Sequence, residues 1–195
     1  MNHCQSTKEY FNSIANKWDT MCHHNTEKIS AILTVANIKK NSRILDIATG
    51  TGILIPHLLK TEPTEVIAID LSELMIAQAQ KKHADHQVRF EAANFYEFDQ
   101  TGFDFAIAYS AYPHFLDKEA FVQHLAESLN PQGRFIVAHS ESKETINGRH
   151  SGDQVQKVSA SLKDATSESN YFKSVFDIDI LVDTDEIYII SGKKK

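Results

Sequence analysis

Five short apolar runs set the architecture of this 195-residue chain: Arg43–Ala48, Glu65–Asp70, Val88–Ala92, Phe103–Tyr109 and Arg134–His139. Each has the length and the bounding turn residues of a buried strand. Segments of helical spacing separate several of them. One runs from Ile53 to Leu59, with Pro56 tolerable near its start. A second begins at Ser72, a good N-cap, and runs through Leu74, Met75 and Ala79 to Lys82. A third covers Lys118 to Leu129 and is stopped by the turn Asn130-Pro131-Gln132-Gly133. Strands alternating with helices at this spacing predict a parallel sheet covered on both faces.

The two ends of the chain differ from this middle. Tyr10, Phe11, Ile14 and Trp18 fall at helical spacing, as do Ile29, Ile32, Leu33 and Val35-Ala36, so the first forty residues read as helical. Near the other end, Val175–Val182 and Glu186–Gly192 are β-rich runs joined only by Asp183-Thr184-Asp185. That link is too short for a helical crossover, and it predicts an antiparallel hairpin closing the sheet. The length suits one compact domain over residues 1–195, with 1–40 as a helical lid and 41–195 as the core.

Composition narrows the function classes. The formal charge of −6 offers no basic face for nucleic acid. No apolar run approaches the roughly 20 residues that span a bilayer, and Met1–Tyr10 lacks the apolar core of a secretory signal. A cytoplasmic location, no membrane and no nucleic-acid partner are therefore expected. Cys4 and Cys22 are read as thiols. Composition leaves monomer and homodimer both open.

The loop Asp46-Ile47-Ala48-Thr49-Gly50-Thr51-Gly52 follows a predicted strand and precedes a predicted helix. Small residues there let backbone approach a ligand, and the N–H groups of the helix start favour polar groups. A dinucleotide fingerprint needs Gly-x-Gly-x-x-Gly, but the matching positions hold Ala48, Gly50 and Ile53. Nicotinamide-dependent oxidoreduction is disfavoured accordingly.

Ile44–Gly52 resembles motif I of the class I S-adenosylmethionine-dependent methyltransferases, and is especially similar to the group containing the quinone-biosynthesis enzymes. The segment Tyr10–Asp19 resembles the start of those proteins, and the likeness extends through Val66–Ala79, Phe103–His114 and Leu125–His139. It implies a doubly wound, Rossmann-like seven-stranded sheet of order 3-2-1-4-5-7-6 with strand 7 antiparallel. It also implies S-adenosyl-L-methionine as cofactor and a small molecule as methyl acceptor. Gly50 and Gly52 would line the methionine part, with Asp46 orienting the loop and the amino group. Ala48 stands where many members have glycine. Asp70 would accept from both ribose hydroxyls, as a carboxylate suits a vicinal diol. Leu71 would pack on the adenine, Asn94 would meet its amino group in place of the usual aspartate, and Phe95 would add a backbone N–H and an apolar wall. Tyr109 and Ser110 would border the methionine. Singly, Asp70 could be a helix cap and Asn94 a turn residue. Neither alternative explains a glycine loop, an acid and an amide at successive strand ends.

Candidates for catalysis or acceptor binding follow the later strands: Tyr112 and His114 after the fourth, His139 at the end of the fifth, and His150 shortly beyond. The run from His139 to Lys143, with His150 after it, resembles a segment of uncharacterised bacterial methyltransferases. Its plain alternative is a solvated loop in which Ser140 or Ser142 caps a helix. Cys22, His24, His139 and His150 could instead supply a metal or metalloid site, though no stretch has a specific ligand spacing. A non-catalytic, cofactor-binding protein is the remaining alternative.

Overall fold

The computed structural model describes residues 3–150, 152 and 155–195. Three helices open the chain: α1 His3–Ile14, α2 Trp18–Met21 and α3 Thr26–Ala36, with a 3-10 turn at Ala15–Lys17. Then come β1 Arg43–Ile47, α4 Ile55–Leu59, β2 Glu65–Asp70, α5 Glu73–Lys82, β3 Val88–Ala92 and β4 Phe103–Tyr109. The chain closes with α6 Lys118–Ser128, β5 Leu129–His139, α7 Lys143–Arg149, α8 Ala165–Ser169, β6 Phe176–Asp183 and β7 Tyr188–Lys194. The seven strands form one sheet of order β3-β2-β1-β4-β5-β7-β6. Strands β1 to β5 pair in parallel, and β7 lies antiparallel to both β5 and β6. This is the expected sheet.

Side-chain alternation divides the core into two layers. Ile44, Val66, Ala68, Phe105, Ile107 and Ile136 meet the apolar faces of α3 and α4. Leu45, Ile47, Ile67, Ile69, Phe135 and Val137 meet α6 and α8 on the other side. Phe135 and Phe172 stack there at 4.7 Å between ring centroids. Helix starts are capped by side chains: Asn25 accepts from Lys28 N, Ser72 from Met75 N, Asp117 from Ala120 N and Ser142 from Thr145 N.

Several boundaries differ from the sequence expectation, and at α4 and β5 a turn is the reason. α4 starts at Ile55 rather than Ile53, because residues 51–54 finish the turn first. β5 starts at Leu129, five residues early. Leu129 pairs with Phe103 and Arg134 with Phe105, so Asn130–Gly133 forms a bulge inside the strand rather than a separate turn. Gln132 takes the left-handed conformation at φ 63°, and Gly133 lets Asn130 O and Phe103 O approach closely. Among the described residues no helix is long and apolar enough to cross a membrane.

Candidate functional site

The parallel strands carry their loops to one edge, where β1 and β4 lie side by side. That is the place at which open α/β sheets bind ligands. The turn after β1 is built on left-handed residues: Ala48 at φ 56°, Gly50 at 57° and Gly52 at 84°. Three hydrogen bonds hold it. Thr49 N donates to Ile69 O at 2.9 Å, Thr49 Oγ1 to Asp46 Oδ2 at 2.6 Å, and Gly50 N to Asp70 Oδ2 at 2.8 Å.

Asp70 ends β2 and is only 8 % exposed. Its second oxygen accepts from Ser72 N at 2.8 Å, so each carboxylate oxygen takes one backbone N–H and keeps a lone pair. Burial pushes its carboxyl up to about 6, against these two hydrogen bonds. Burial pushes Asp46 higher, to about 7, with the Thr49 hydroxyl opposing and the neighbouring Asp70 adding to the rise. Asn94, after β3, accepts from Tyr96 N at 3.2 Å, as a cap for the 3-10 turn Phe95–Glu97. After β4, Ser110 stands at φ 57°, and Tyr109 donates its hydroxyl to Ser140 Oγ at 2.7 Å.

These strand ends line one cavity of about 940 Å³ of empty space including its mouth. Ala48, Gly50, Asp70, Leu71, Asn94, Phe95, Tyr109, Ser110 and His114 all reach it. Asp46 does not; it sits beneath the loop and holds Thr49. Gly52 does not either. A Cβ there would come within 2.7 Å of His83 Cδ2, so close approach of that ring, with φ 84°, is what requires glycine.

The N-terminal segment roofs the cavity, with His3, Cys4, Thr7, Phe11, Trp18 and His24 on its lining. Asp19 fastens this roof, accepting from Thr51 Oγ1 at 2.5 Å and Lys82 Nζ at 2.8 Å. Asn12 adds a second tie by accepting from Ser72 Oγ at 2.6 Å. The Trp18 indole lies over the glycine loop, where its Nε1 would be 3.7 Å from a Cβ at Gly50. His3, Cys4 and Thr7 carried no sequence signal, since their role depends on the helix folding back onto the sheet.

The remaining candidates lie behind the cavity wall. Tyr112 is fully buried and donates to Glu168 Oε2 at 3.1 Å, with Lys118 Nζ 3.6 Å from its ring centroid. His139 is 2 % exposed, and its Nε2 is buried with no hydrogen-bond partner among the described residues. The His150 ring stands edge-on to His114 at 4.9 Å, with its Nδ1 likewise buried and without a partner among the described residues. Burial lowers His114 to about 4 and His139 to about 3, so both imidazoles are neutral at pH 7. The four residues considered for a metal do not converge: His24 Nδ1 is engaged with Tyr109 Oη at 3.0 Å. Among the described residues no group of three or more ligating side chains is arranged to hold a metal ion.

Comparison with known proteins agrees with this geometry. Residues 44–133 match the family model for a methyltransferase domain. Over 140 residues the chain is 28 % identical to the ubiquinone/menaquinone biosynthesis C-methyltransferase UbiE of Proteus mirabilis, covering 65 % of this chain and 56 % of that protein. The chain spans about half the length of the curated relatives it matches. Among solved structures, the DhpI–SAH complex has TM-score 0.79 at 17 % identity, covering 100 % of this chain and 98 % of the other. The N-methyltransferase NodS of Bradyrhizobium japonicum, in complex with S-adenosylhomocysteine, has TM-score 0.72 at 13 % identity, covering 97 % and 98 %. The central part of the chain is thus similar to S-adenosylmethionine-dependent methyltransferases, and the whole chain shares their fold.

Proposed function

We propose that this protein transfers the methyl group of S-adenosyl-L-methionine to a small molecule, as a single domain in which the N-terminal segment is the lid. The observation that carries the reading is Asp70. A nearly buried carboxylate, raised by burial yet retaining a lone pair on each oxygen, ends β2 on the wall of a roofed cavity. A vicinal diol offers two hydroxyl donors to such a group. Leu71 and Phe95 supply apolar walls beside it, and Asn94 supplies an amide. Ala48, Gly50, Tyr109 and Ser110 line the cavity around the glycine loop, where the methionine portion is assigned. Asp46 and Gly52 act on the shape of that loop.

The cofactor supplies an already activated methyl on a sulfonium. The chain's task is to position the acceptor and exclude water. The roof fastened by Asp19 and Asn12 serves exclusion. His114 is the cavity-lining candidate for proton removal, because its ring is neutral at pH 7. His139, His150 and Tyr112 are placed in supporting roles behind it.

Calorimetry with S-adenosylmethionine, S-adenosylhomocysteine and NAD tests the cofactor assignment. Binding of both sulfur nucleotides and not of NAD is the expected result. Tight NAD binding without affinity for either sulfur nucleotide would overturn it.

A further inference from the structure

The acceptor's chemistry can be narrowed from the wall on which His114 stands, an argument that rests on the cofactor reading above. His114 Nδ1 lies 2.8 Å from Val158 O. A carbonyl oxygen only accepts, so Nδ1 carries the ring proton. Burial keeps the ring neutral, and Nε2 is therefore left with a lone pair and no proton. A group meeting Nε2 must donate a hydrogen bond.

Charge restricts that group further. No lysine, arginine or glutamate lines the cavity among the described residues, and Asp70 at the β2 end is its one carboxylate. An anionic acceptor would find no lysine or arginine on this lining, and its ionised group could not donate to Nε2. An ammonium acceptor would face the donor's own sulfonium, has no lone pair for attack, and has no carboxylate on the His114 side. An uncharged O–H or S–H group meets neither obstacle.

A second observation lies behind His114. His150 is in edge contact with it, and His139 is close enough to both for their charges to depress its basicity. His139 Nε2, His150 Nδ1 and Tyr188 Oη are all buried without partners among the described residues. Leaving such atoms unmet costs about 1–3 kcal/mol each. The His139 and Tyr188 rings are 6.0 Å apart on paired residues of β5 and β7. These atoms are closed off from the cavity, so they lie behind His114 and not on its lining.

We propose that the acceptor is an uncharged small molecule bearing a hydroxyl or thiol that donates to His114 Nε2. The bond from the acceptor's oxygen or sulfur to the methyl carbon forms as the carbon–sulfur bond of the sulfonium breaks. The bonding pair stays on sulfur, giving neutral S-adenosylhomocysteine. The acceptor's proton passes to His114 Nε2, so the imidazolium carries the positive charge that the sulfonium loses, until solvent takes the proton.

The test titrates the S-adenosylhomocysteine complex of the full chain with catechol, phenol, thiophenol, benzoate and phenyl phosphate, read by calorimetry and by the histidine imidazole NMR signals. Phenol and thiophenol should bind and shift the His114 signals. Catechol should bind and shift the His114 signals as phenol does. His114→Gln should weaken phenol by about 10-fold. With labelled donor, His114→Gln should lower kcat by about 100-fold or more, with a smaller change in KM. Preferential binding of benzoate or phenyl phosphate would overturn the acceptor class, as would failure of both uncharged monofunctional probes to bind up to their solubility. If S-adenosylhomocysteine itself fails to bind, the cofactor reading falls and this inference falls with it.

Discussion

Replacing Asp70 by asparagine separates cofactor binding from folding, because the two effects have opposite signs. In the ligand-free protein burial raises the carboxyl from 3.8 to about 6. Above that pH the folded state therefore carries a penalty of about 3 kcal/mol for the ionised group relative to the unfolded chain. Asparagine removes this penalty. Its NH2 group must, however, face either Gly50 N or Ser72 N, and the N–H left unpaired costs about 1–3 kcal/mol. The net effect on stability lies between none and a small gain. Cofactor affinity behaves differently. Hydrogen bonds to a charged group contribute about 1.5–3 kcal/mol each, so two ribose hydroxyls losing the carboxylate should weaken binding at least about 100-fold. Calorimetry with S-adenosylhomocysteine at pH 8, paired with thermal melts of both proteins, reads the two quantities. The parent should also lose affinity as the pH falls through 6, since protonation removes an acceptor, while Asp70→Asn should be flat there. A dissociation constant within threefold of the parent's would refute the ribose assignment. A collapse in melting temperature would show that Asp70 chiefly holds the loop.

Three further outcomes follow from the packing and electrostatics. Asp46 and Asp70 both have raised folded-state values, about 7 and 6 against 3.8, so the unfolded chain releases their protons first. Their contribution to stability is complete below pH 4 and is lost as the pH rises to 7; Asp46→Asn should flatten this decline in the ligand-free protein, and melting curves that keep the parent's pH dependence would contradict it. Asp19→Ala frees Thr51 and Lys82 and should loosen the roof, weakening S-adenosylhomocysteine several-fold and red-shifting the fluorescence of Trp18, the chain's one tryptophan; an unchanged spectrum would count against the clasp. Phe135→Ala removes a fully buried ring stacked on Phe172 and should destabilise the fold by about 3–5 kcal/mol in urea titrations, and a loss under 1 kcal/mol would show that the site collapses to fill the space.

The sheet was legible because its strands are buried on both faces and so appear as short apolar runs between turn residues. β2, β3 and β4 have the bounds that their sequences predict. β5 begins earlier than its sequence predicts: Asn130–Gly133 has turn chemistry, yet here that chemistry makes a bulge that stays within the strand. The cavity was legible where a motif sits at a strand end, as at Gly50, Asp70 and Asn94. It was not legible on the roof, because nothing local in His3, Cys4 or Thr7 says where α1 will dock. Gly52 shows the opposite difficulty: a glycine inside a ligand-binding motif is required by a neighbouring histidine ring. Tyr112 likewise follows β4 toward the site, but the buried Glu168 claims its hydroxyl. Partners distant in sequence decide these cases, and local pattern does not contain them.

The central claim is that the roofed cavity at the ends of β1, β2 and β4 holds S-adenosylmethionine. A crystal structure of the chain with S-adenosylhomocysteine tests it most directly. The account predicts both ribose hydroxyls on Asp70, the adenine between Leu71 and Phe95 with Asn94 at its edge, and the sulfur on the side of the cavity that His114 lines. A nucleoside whose ribose lies away from Asp70, or a ligand bound outside the roof, would contradict it.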